Sequence, residues 1–203
     1  MKNIYIVLAH TGTLVSEIIK KYTNDEFSHV SLSLDIELNH MYSFGRLNPY
    51  NPLWGGFVQE YIHKGTFKRF YNTKVTIYSL EITDRQYKKL AKTINRFEKH
   101  KKKYTFNIIG MFAVGINKKI GDEYSFYCAE FVKYLLKKAR IRTGLPKIVR
   151  PEDFKNIEGI KEVYTGKLQE YKMNEENIAL EQKWKSKNLR LSHFIQMIIT
   201  YNS

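Results

Sequence analysis

The sequence contains a single cysteine, Cys128, which begins a stretch with helical periodicity. Unpaired backbone amides and the positive end of the helix dipole at such a position stabilise a thiolate, the reactive form of a cysteine nucleophile. His29 begins an alternating stretch typical of a strand, and an imidazole is a common base for such a nucleophile. The alternative interpretation is a buried structural cysteine and an unrelated strand histidine.

Hydrophobic periodicity predicts the elements that would position these two residues. Residues 28–35 alternate strictly and predict a strand. One face of this strand carries Val30, Leu32 and Leu34, and the other carries His29, Ser31, Ser33 and Asp35. Residues 40–45 predict a second extended segment, so the two strands should form an antiparallel hairpin. Residues 126–140 predict the helix that contains Cys128, with Ser125 as its N-cap.

The rest of the chain predicts a mixture of strands and helices. Further strands are expected at residues 3–9, 74–82 and about 160–171, and helices at 13–22 and 83–103. The second of these helices begins with a capping box formed by Thr83 and Gln86. Residues 46–57 contain two prolines and two glycines and predict a turn-rich loop. Residues 104–120 are ambiguous between a buried, broken helix and a lining segment.

Two short segments resemble a known superfamily. FSHVSLSLD at residues 27–35 and YCAEFV at residues 127–132 resemble the histidine strand and the cysteine helix of the NlpC/P60 superfamily. The order, histidine before cysteine, resembles the circularly permuted branch, which includes the YiiX-like proteins and, more remotely, the lecithin retinol acyltransferase-like enzymes. Over roughly residues 1–155, the resemblance implies an α+β, papain-like fold in which an antiparallel sheet packs against helices. It also implies a thiolate–imidazole pair that attacks an amide, ester or thioester carbonyl.

A third residue should orient the imidazole and select its tautomer. In the relatives it comes from the strand after the histidine, often as His or Glu, and the matching position here is Ser43. Pairing Leu34 with His40 would place Ser43 on the face of His29, whereas a slip of one residue would place it on the opposite face. His40 and Glu60 are rival candidates, and Ser43 can equally be a small residue that fills a crowded strand.

The position of the cysteine helix decides whether a catalytic pair can form. If the helix covers the face bearing Ser31 and Ser33, the thiol must come near the His29 ring. If it covers the face bearing Val30, Leu32 and Leu34, the imidazole should point away from it. The backbone amide of Cys128, with a second donor such as Tyr127, would hold the oxyanion.

Taken together, these patterns predict a cysteine hydrolase of the amidase or peptidase type, with Cys128 as nucleophile and His29 as base. A lipid acyl hydrolase or acyltransferase-like enzyme and a catalytically degraded basic binding module are the alternatives. The aromatic residues Tyr50, Trp54 and Phe57, with residues 104–116, would either line a peptide or acyl groove or belong to the core.

The domain boundaries and the location follow from length and composition. With 203 residues, the chain predicts one catalytic domain at residues 1–172 and a helical or irregular extension at 173–203. We identify no signal peptide and no membrane span, and one cysteine allows no intramolecular disulfide, so a cytoplasmic location is expected. The substrate would be a peptide, a lipid or a small amide, and no cofactor or metal is expected.

The formal net charge of +14 is concentrated in the centre of the chain. Residues 61–150 contain 22 Lys and Arg against 6 Asp and Glu, whereas the two flanking segments are nearly balanced. Much of this charge lies on the polar face of the helix predicted at residues 83–103. Because no nucleic-acid-binding motif accompanies it, the charge favours a solvated surface over a dedicated polyanion site.

We therefore predict weak adsorption to anionic liposomes and oligonucleotides that decreases as salt is added and shows no sequence preference. Binding measured at low and moderate salt, with neutral liposomes as the control, tests this expectation. Tight binding that survives moderate salt and prefers one nucleic-acid sequence would instead favour the binding-module interpretation.

Overall fold

The computed structural model describes residues 1–12, 25–107 and 124–171, and these residues contain eight strands and three α-helices. The strands are β1 (Lys2–His10), β2 (His29–Ser33), β3 (Met41–Asn48), β4 (Asn51–Glu60), β5 (Lys74–Ile82), β6 (Thr105–Phe106), β7 (Ser125–Phe126) and β8 (Ile160–Lys167). The α-helices are α1 (Gly65–Arg69), α2 (Asp84–Lys99) and α3 (Cys128–Lys138). Short 3₁₀ turns follow at Lys101–Lys103, Pro151–Asn156 and Leu168–Glu170.

Six strands form one sheet in the order β4-β3-β2-β1-β5-β8, and every neighbouring pair is antiparallel. Strands β6 and β7 form a separate parallel pair. The α+β class predicted from the sequence, an antiparallel sheet packed against helices, is confirmed, and the arrangement is compatible with a papain-like fold. The expected hairpin of β2 and β3 is also present, and it has the predicted register, because Leu34 N donates to His40 O at 3.1 Å.

One face of the sheet packs against α2 and α3. The apolar side chains of β1 and β2 that point to this face are Ile4, Ile6, Leu8, Val30 and Leu32. They share a buried cluster with Leu90, Ile94 and Phe97 of α2 and with Phe131, Val132, Leu135 and Leu136 of α3. Each large apolar side chain buried in this way contributes roughly 1.5–3 kcal/mol. This layer accounts for the apolar periodicity of both helices.

The opposite face of the sheet is also buried, although it is partly polar. Ser31, Ser33 and Ser43 lie on it and are fully inaccessible to solvent. Apolar side chains that do not belong to α2 or α3 are buried on this side of the sheet. Phe67 of α1 is one of them. A strand face whose sequence reads as polar is therefore an interior surface here.

Two local expectations from the sequence are wrong. Residues 46–57 are not a loop, because they pair as β3 and β4 with a tight turn between Asn48 and Asn51. Pro52 is tolerated within β4 because β4 is an edge strand with one unpaired side. Ser125 does not cap the cysteine helix, since Tyr127 occupies the N-cap position and its side chain makes no capping hydrogen bond.

One further feature predicted from the sequence is present, and three predicted segments lie outside the described residues. The Thr83–Gln86 capping box is present, with Gln86 N donating to Thr83 Oγ1 at 3.2 Å and Thr83 N donating to Gln86 Oε1 at 2.9 Å. Residues Met1–Tyr171 form one compact unit. The helix expected at 13–22, most of the ambiguous segment 104–120 and the extension at 173–203 lie outside the described residues.

Gly55 is the position where β4 approaches its neighbours most closely. A Cβ atom there would lie 2.8 Å from the carbonyl oxygen of Gly45 and 2.8 Å from the side chain of Phe106. At the next residue, Gly56, the nearest atom would be a terminal methyl of Leu47 at 3.4 Å, which is ordinary contact. The contact between β4 and β6 therefore requires glycine at residue 55.

We predict that Gly55→Ala lowers the free energy of unfolding by about 1–3 kcal/mol, because backbone and ring atoms must move to admit the methyl group. Gly56→Ala is the matched control and should change stability by less than about 1 kcal/mol. Denaturant unfolding of both variants measures the difference, and equal stabilities would contradict the close approach.

Candidate active site

The candidate site is built on the face of the sheet that carries the buried serines. Met41 of β3 pairs with Ser33 of β2 on one side and with Glu60 of β4 on the other, so these three residues share a face. His29 lies on the same face because it is four residues from Ser33 in β2. The sheet therefore directs the first residue of β2 and the last residue of β4 to one side.

His29 and Glu60 form a buried ion pair across β3. Glu60 Oε1 lies 2.9 Å from His29 Nε2, and the two side chains are only 9% and 17% exposed. Gly45 of β3 lies beneath them, since a Cβ atom there would be 3.4 Å from Glu60 Oε1 and 3.6 Å from His29 Cε1. The absence of a side chain at residue 45 leaves the space in which the carboxylate meets the ring.

Ser31 holds the other oxygen of the carboxylate. Its hydroxyl donates a short hydrogen bond to Glu60 Oε2 and lies 3.3 Å from His29 Nε2. Ser31 is fully buried, so water does not compete for these bonds. Both oxygens of Glu60 therefore have protein partners, which fixes the carboxylate against the imidazole.

Cys128 reaches the same imidazole from the helical layer. It is the first residue of α3, is 4% exposed, and makes a side-chain hydrogen bond with His29. The carboxylate of Glu60 and the side chain of Cys128 thus both interact with the imidazole of His29.

The sequence suggested that the cysteine helix could contact His29 only by covering the face of β2 that bears Ser31 and Ser33. Helix α3 packs on the face of Val30 and Leu32, and yet its first residue contacts the ring of His29. The expectation that this packing would prevent a contact is wrong. His29 begins β2 and Cys128 begins α3, so the side chains meet at the ends of their elements and not through the sheet.

The charge of His29 is determined by this environment. Burial alone would lower the pKa of its imidazole, but the carboxylate of Glu60 and hydrogen bonds to Cys128 and Glu60 together raise it from 6.5 to about 10. His29 is therefore protonated at neutral pH and carries a positive charge between the thiol and the carboxylate.

Ser43 and His40 are placed elsewhere. The hydroxyl of Ser43 donates to the carbonyl of Val30 at 2.9 Å, so it satisfies a strand group and does not orient the imidazole. The ring of His40 is 60% exposed and pairs with Asp35 at 2.8 Å. Of the three candidates, Glu60 is the residue that contacts His29.

For Tyr127 and Phe57 the structure favours the core interpretation that the sequence left open. The hydroxyl of Tyr127 donates to the carbonyl of Val149 at 3.0 Å, and burial together with the nearby Glu130 carboxylate raises its pKa. The Tyr127 hydroxyl therefore makes a structural hydrogen bond. Phe57 belongs to the core, where its ring lies 5.8 Å from that of Phe97. Tyr50 and Trp54 are exposed, and residues 108–116 lie outside the described part of the chain.

Within residues 1–12, 25–107 and 124–171, no group of three His, Cys, Asp or Glu side chains is arranged to hold a metal ion. No helix in these same ranges combines the length and the apolar character needed to cross a membrane.

Comparison with known proteins finds similarity among solved structures but not among sequences. No family model matches the sequence, and no curated protein matches it. The crystal structure of the metalloprotein yiiX from Escherichia coli O157:H7, DUF1105, is similar at 15% sequence identity with a TM-score of 0.42. The similar region covers 81% of this chain and 97% of that chain.

Glu60→Gln should lower the pKa of His29, because the carboxylate that raises it is lost while burial, which lowers it, remains. The imidazole would then titrate at a lower pH in an NMR titration, with its signals assigned by comparison with His29→Ala.

The matched control is Asp35→Asn, which removes the carboxylate bound to a different histidine, His40. This substitution should leave the pKa of His29 unchanged. An unchanged titration midpoint in Glu60→Gln, or equal shifts in both variants, would contradict the electrostatic role of Glu60.

Proposed function

We propose that the protein is a cysteine hydrolase of the amidase or peptidase type, related to the circularly permuted NlpC/P60 branch. The observation that carries this proposal is the buried chain from the carboxylate of Glu60 through the imidazole of His29 to the thiol of Cys128. A nucleophile, a proton-transfer group and an orienting group in contact are the parts that covalent catalysis on a carbonyl requires.

The protonation of His29 determines how the first step runs. Because the imidazole is positively charged at neutral pH, it acts as a general acid in that step, and the nucleophile is the Cys128 thiolate paired with it. The sulfur attacks the carbonyl carbon of the substrate and forms a tetrahedral intermediate. The backbone N–H of Cys128 lies in the first turn of α3, where amides have no acceptor within the helix, and it would hold the oxyanion.

In the later steps His29 gives its proton to the leaving group and then regains one from water. When the bond to the leaving group breaks, His29 gives its proton to the departing amine or alkoxide, and the acyl group stays on sulfur as a thioester. Neutral His29 then accepts a proton from water, whose oxygen attacks the thioester. The thiolate is expelled, the carboxylic acid product releases its own proton to the solvent, and the thiolate–imidazolium pair is restored.

Glu60 is the proposed orienting residue in place of Ser43. Its carboxylate can stabilise the imidazolium as well as fix the ring, whereas a hydroxyl can only orient it. Ser31 supports this role because it occupies the second carboxylate oxygen. A thiolate of this kind has to remain reduced, which is consistent with the proposed cytoplasmic location.

We predict that Cys128→Ala abolishes hydrolysis in a screen of amide, ester and thioester substrates, because no other residue in the mechanism can form the acyl intermediate. In wild-type protein, iodoacetamide should also label Cys128 faster at mildly acidic pH than in His29→Ala, since the imidazolium stabilises the thiolate. Equal residual rates in wild-type protein and Cys128→Ala would show that hydrolysis does not occur at this site.

A second pair of variants distinguishes Glu60 from Ser43. Glu60→Gln should reduce kcat/KM by up to about 10⁴-fold, the loss found when the carboxylate that orients a catalytic imidazole is replaced by an amide. Ser43→Ala removes a hydroxyl bonded to the Val30 carbonyl, so it should lower stability while leaving the rate of the folded protein close to wild type. The reverse pattern would return the orienting role to Ser43.

A further inference from the structure

A cavity of about 270 Å³ lies next to the ion pair of His29 and Glu60. It is enclosed by the outer part of the β3–β4 hairpin on one side and by α1 with the preceding segment on the other. Glu60 and Phe67 belong to both the cavity and the candidate site, since the ring of Phe67 lies 6.4 Å from that of His29. A group bound in the cavity would therefore be one side chain away from the imidazole.

The charged residues of the cavity wall are mainly basic. Arg46 and Lys64 line it, and among the described residues of the lining the one acidic side chain is that of Glu60, whose charge is engaged by His29. Burial and, to a lesser extent, the nearby Arg69 lower the pKa of Arg46.

Aromatic rings position the basic groups. The guanidinium of Arg69 lies 3.9 Å from the ring centre of Tyr50, and that of Arg46 lies 5.7 Å from the ring centre of Phe70. The ammonium of Lys64 lies 5.2 Å from the ring centre of Tyr61. Cation–π contacts of this kind restrict the side chains, so less conformational entropy is lost when a ligand binds.

We propose that this cavity binds a small anionic group, a carboxylate or a phosphate, and that this group belongs to the substrate, a statement that rests on the proposed hydrolase function. The volume is near the lower limit of ligand pockets, so it admits a terminal group and not a whole chain. Arg46 would contribute paired N–H donors and Lys64 a point charge. The substrate class is therefore an amide or ester that carries an anionic terminus.

The first experiment measures binding without catalysis. Inorganic phosphate and acetate are titrated separately into the full-length protein at low salt, and chemical shifts or thermal stability are followed. Saturable binding of at least one anion is expected, and Arg46→Gln and Lys64→Gln should each weaken it by about tenfold or more. The comparison of the two anions distinguishes a phosphate site from a carboxylate site.

The matched control is Lys88→Gln, an exposed lysine of α2 that does not line the cavity. It removes the same charge and should leave the affinity unchanged. Equal weakening by Lys88→Gln, or a response that never saturates, would mean diffuse attraction to a basic protein and would overturn the proposal. Two cavity variants are used so that a folding defect in one does not decide the result.

The second experiment connects the cavity to the reaction. Aryl esters that differ only in whether the acyl chain ends in a methyl group, a carboxylate or a phosphate are compared in wild-type protein and in both variants. The anionic ester should be preferred through a lower KM, and Arg46→Gln and Lys64→Gln should reduce that preference, whereas the control Lys88→Gln should leave kcat and KM for every ester unchanged.

The outcomes separate the two proposals. Hydrolysis that depends on Cys128 but shows no preference for either anionic ester would overturn the substrate assignment and leave the proposed function intact. Saturable anion binding in a protein without Cys128-dependent hydrolysis would overturn the proposed function and retain the anion site.

Discussion

The ion pair between His29 and Glu60 is the interaction on which the candidate site depends. Burying a charged group is unfavourable unless a partner and further hydrogen bonds compensate for the lost water. Here the carboxylate compensates for the burial of the imidazole to such an extent that the pKa of His29 rises to about 10. A raised pKa in the folded state means that the pair contributes its full stability below the unfolded value of 6.5 and loses it as the pH rises through about 10.

The sheet brings His29 and Glu60 together and still leaves the imidazole of His29 within reach of the thiol of Cys128. Glu60 must span β3 to contact a residue of β2, and Gly45 leaves the necessary space. The opposite face of the same strands binds α2 and α3 through apolar side chains, and this packing fixes where α3 begins. Cys128 is consequently held at the end of β2 by the core, while His29 is held by the polar face. Two independently packed layers thus determine one sulfur–imidazole contact.

The basic residues of the protein lie on two different surfaces. One is the solvated face of α2, whose buried stripe belongs to the core and whose lysines face water. The other is the pair of Arg46 and Lys64 on a concave surface beside Glu60, with Arg69 close to Arg46. The first provides a diffuse field that salt screens. The second concentrates positive charge where a bound group would be near the reacting atoms. Because one surface is an exposed helix face and the other is concave, we expect the two to have different roles.

The sequence by itself determined the local elements and the two central residues. Strict alternation around His29, helical periodicity after Cys128 and the Thr83 capping box depend on short-range patterns, and the structure contains all three elements. Tertiary structure alone decided the rest. Glu60 is 31 residues from His29, and its contact depends on strand order, on register and on a missing side chain at Gly45. Ser43 matched the expected position in sequence, but its hydroxyl is used by the Val30 carbonyl. Sequence patterns show which face a residue occupies, whereas the reach of a side chain across a neighbouring strand is set by packing.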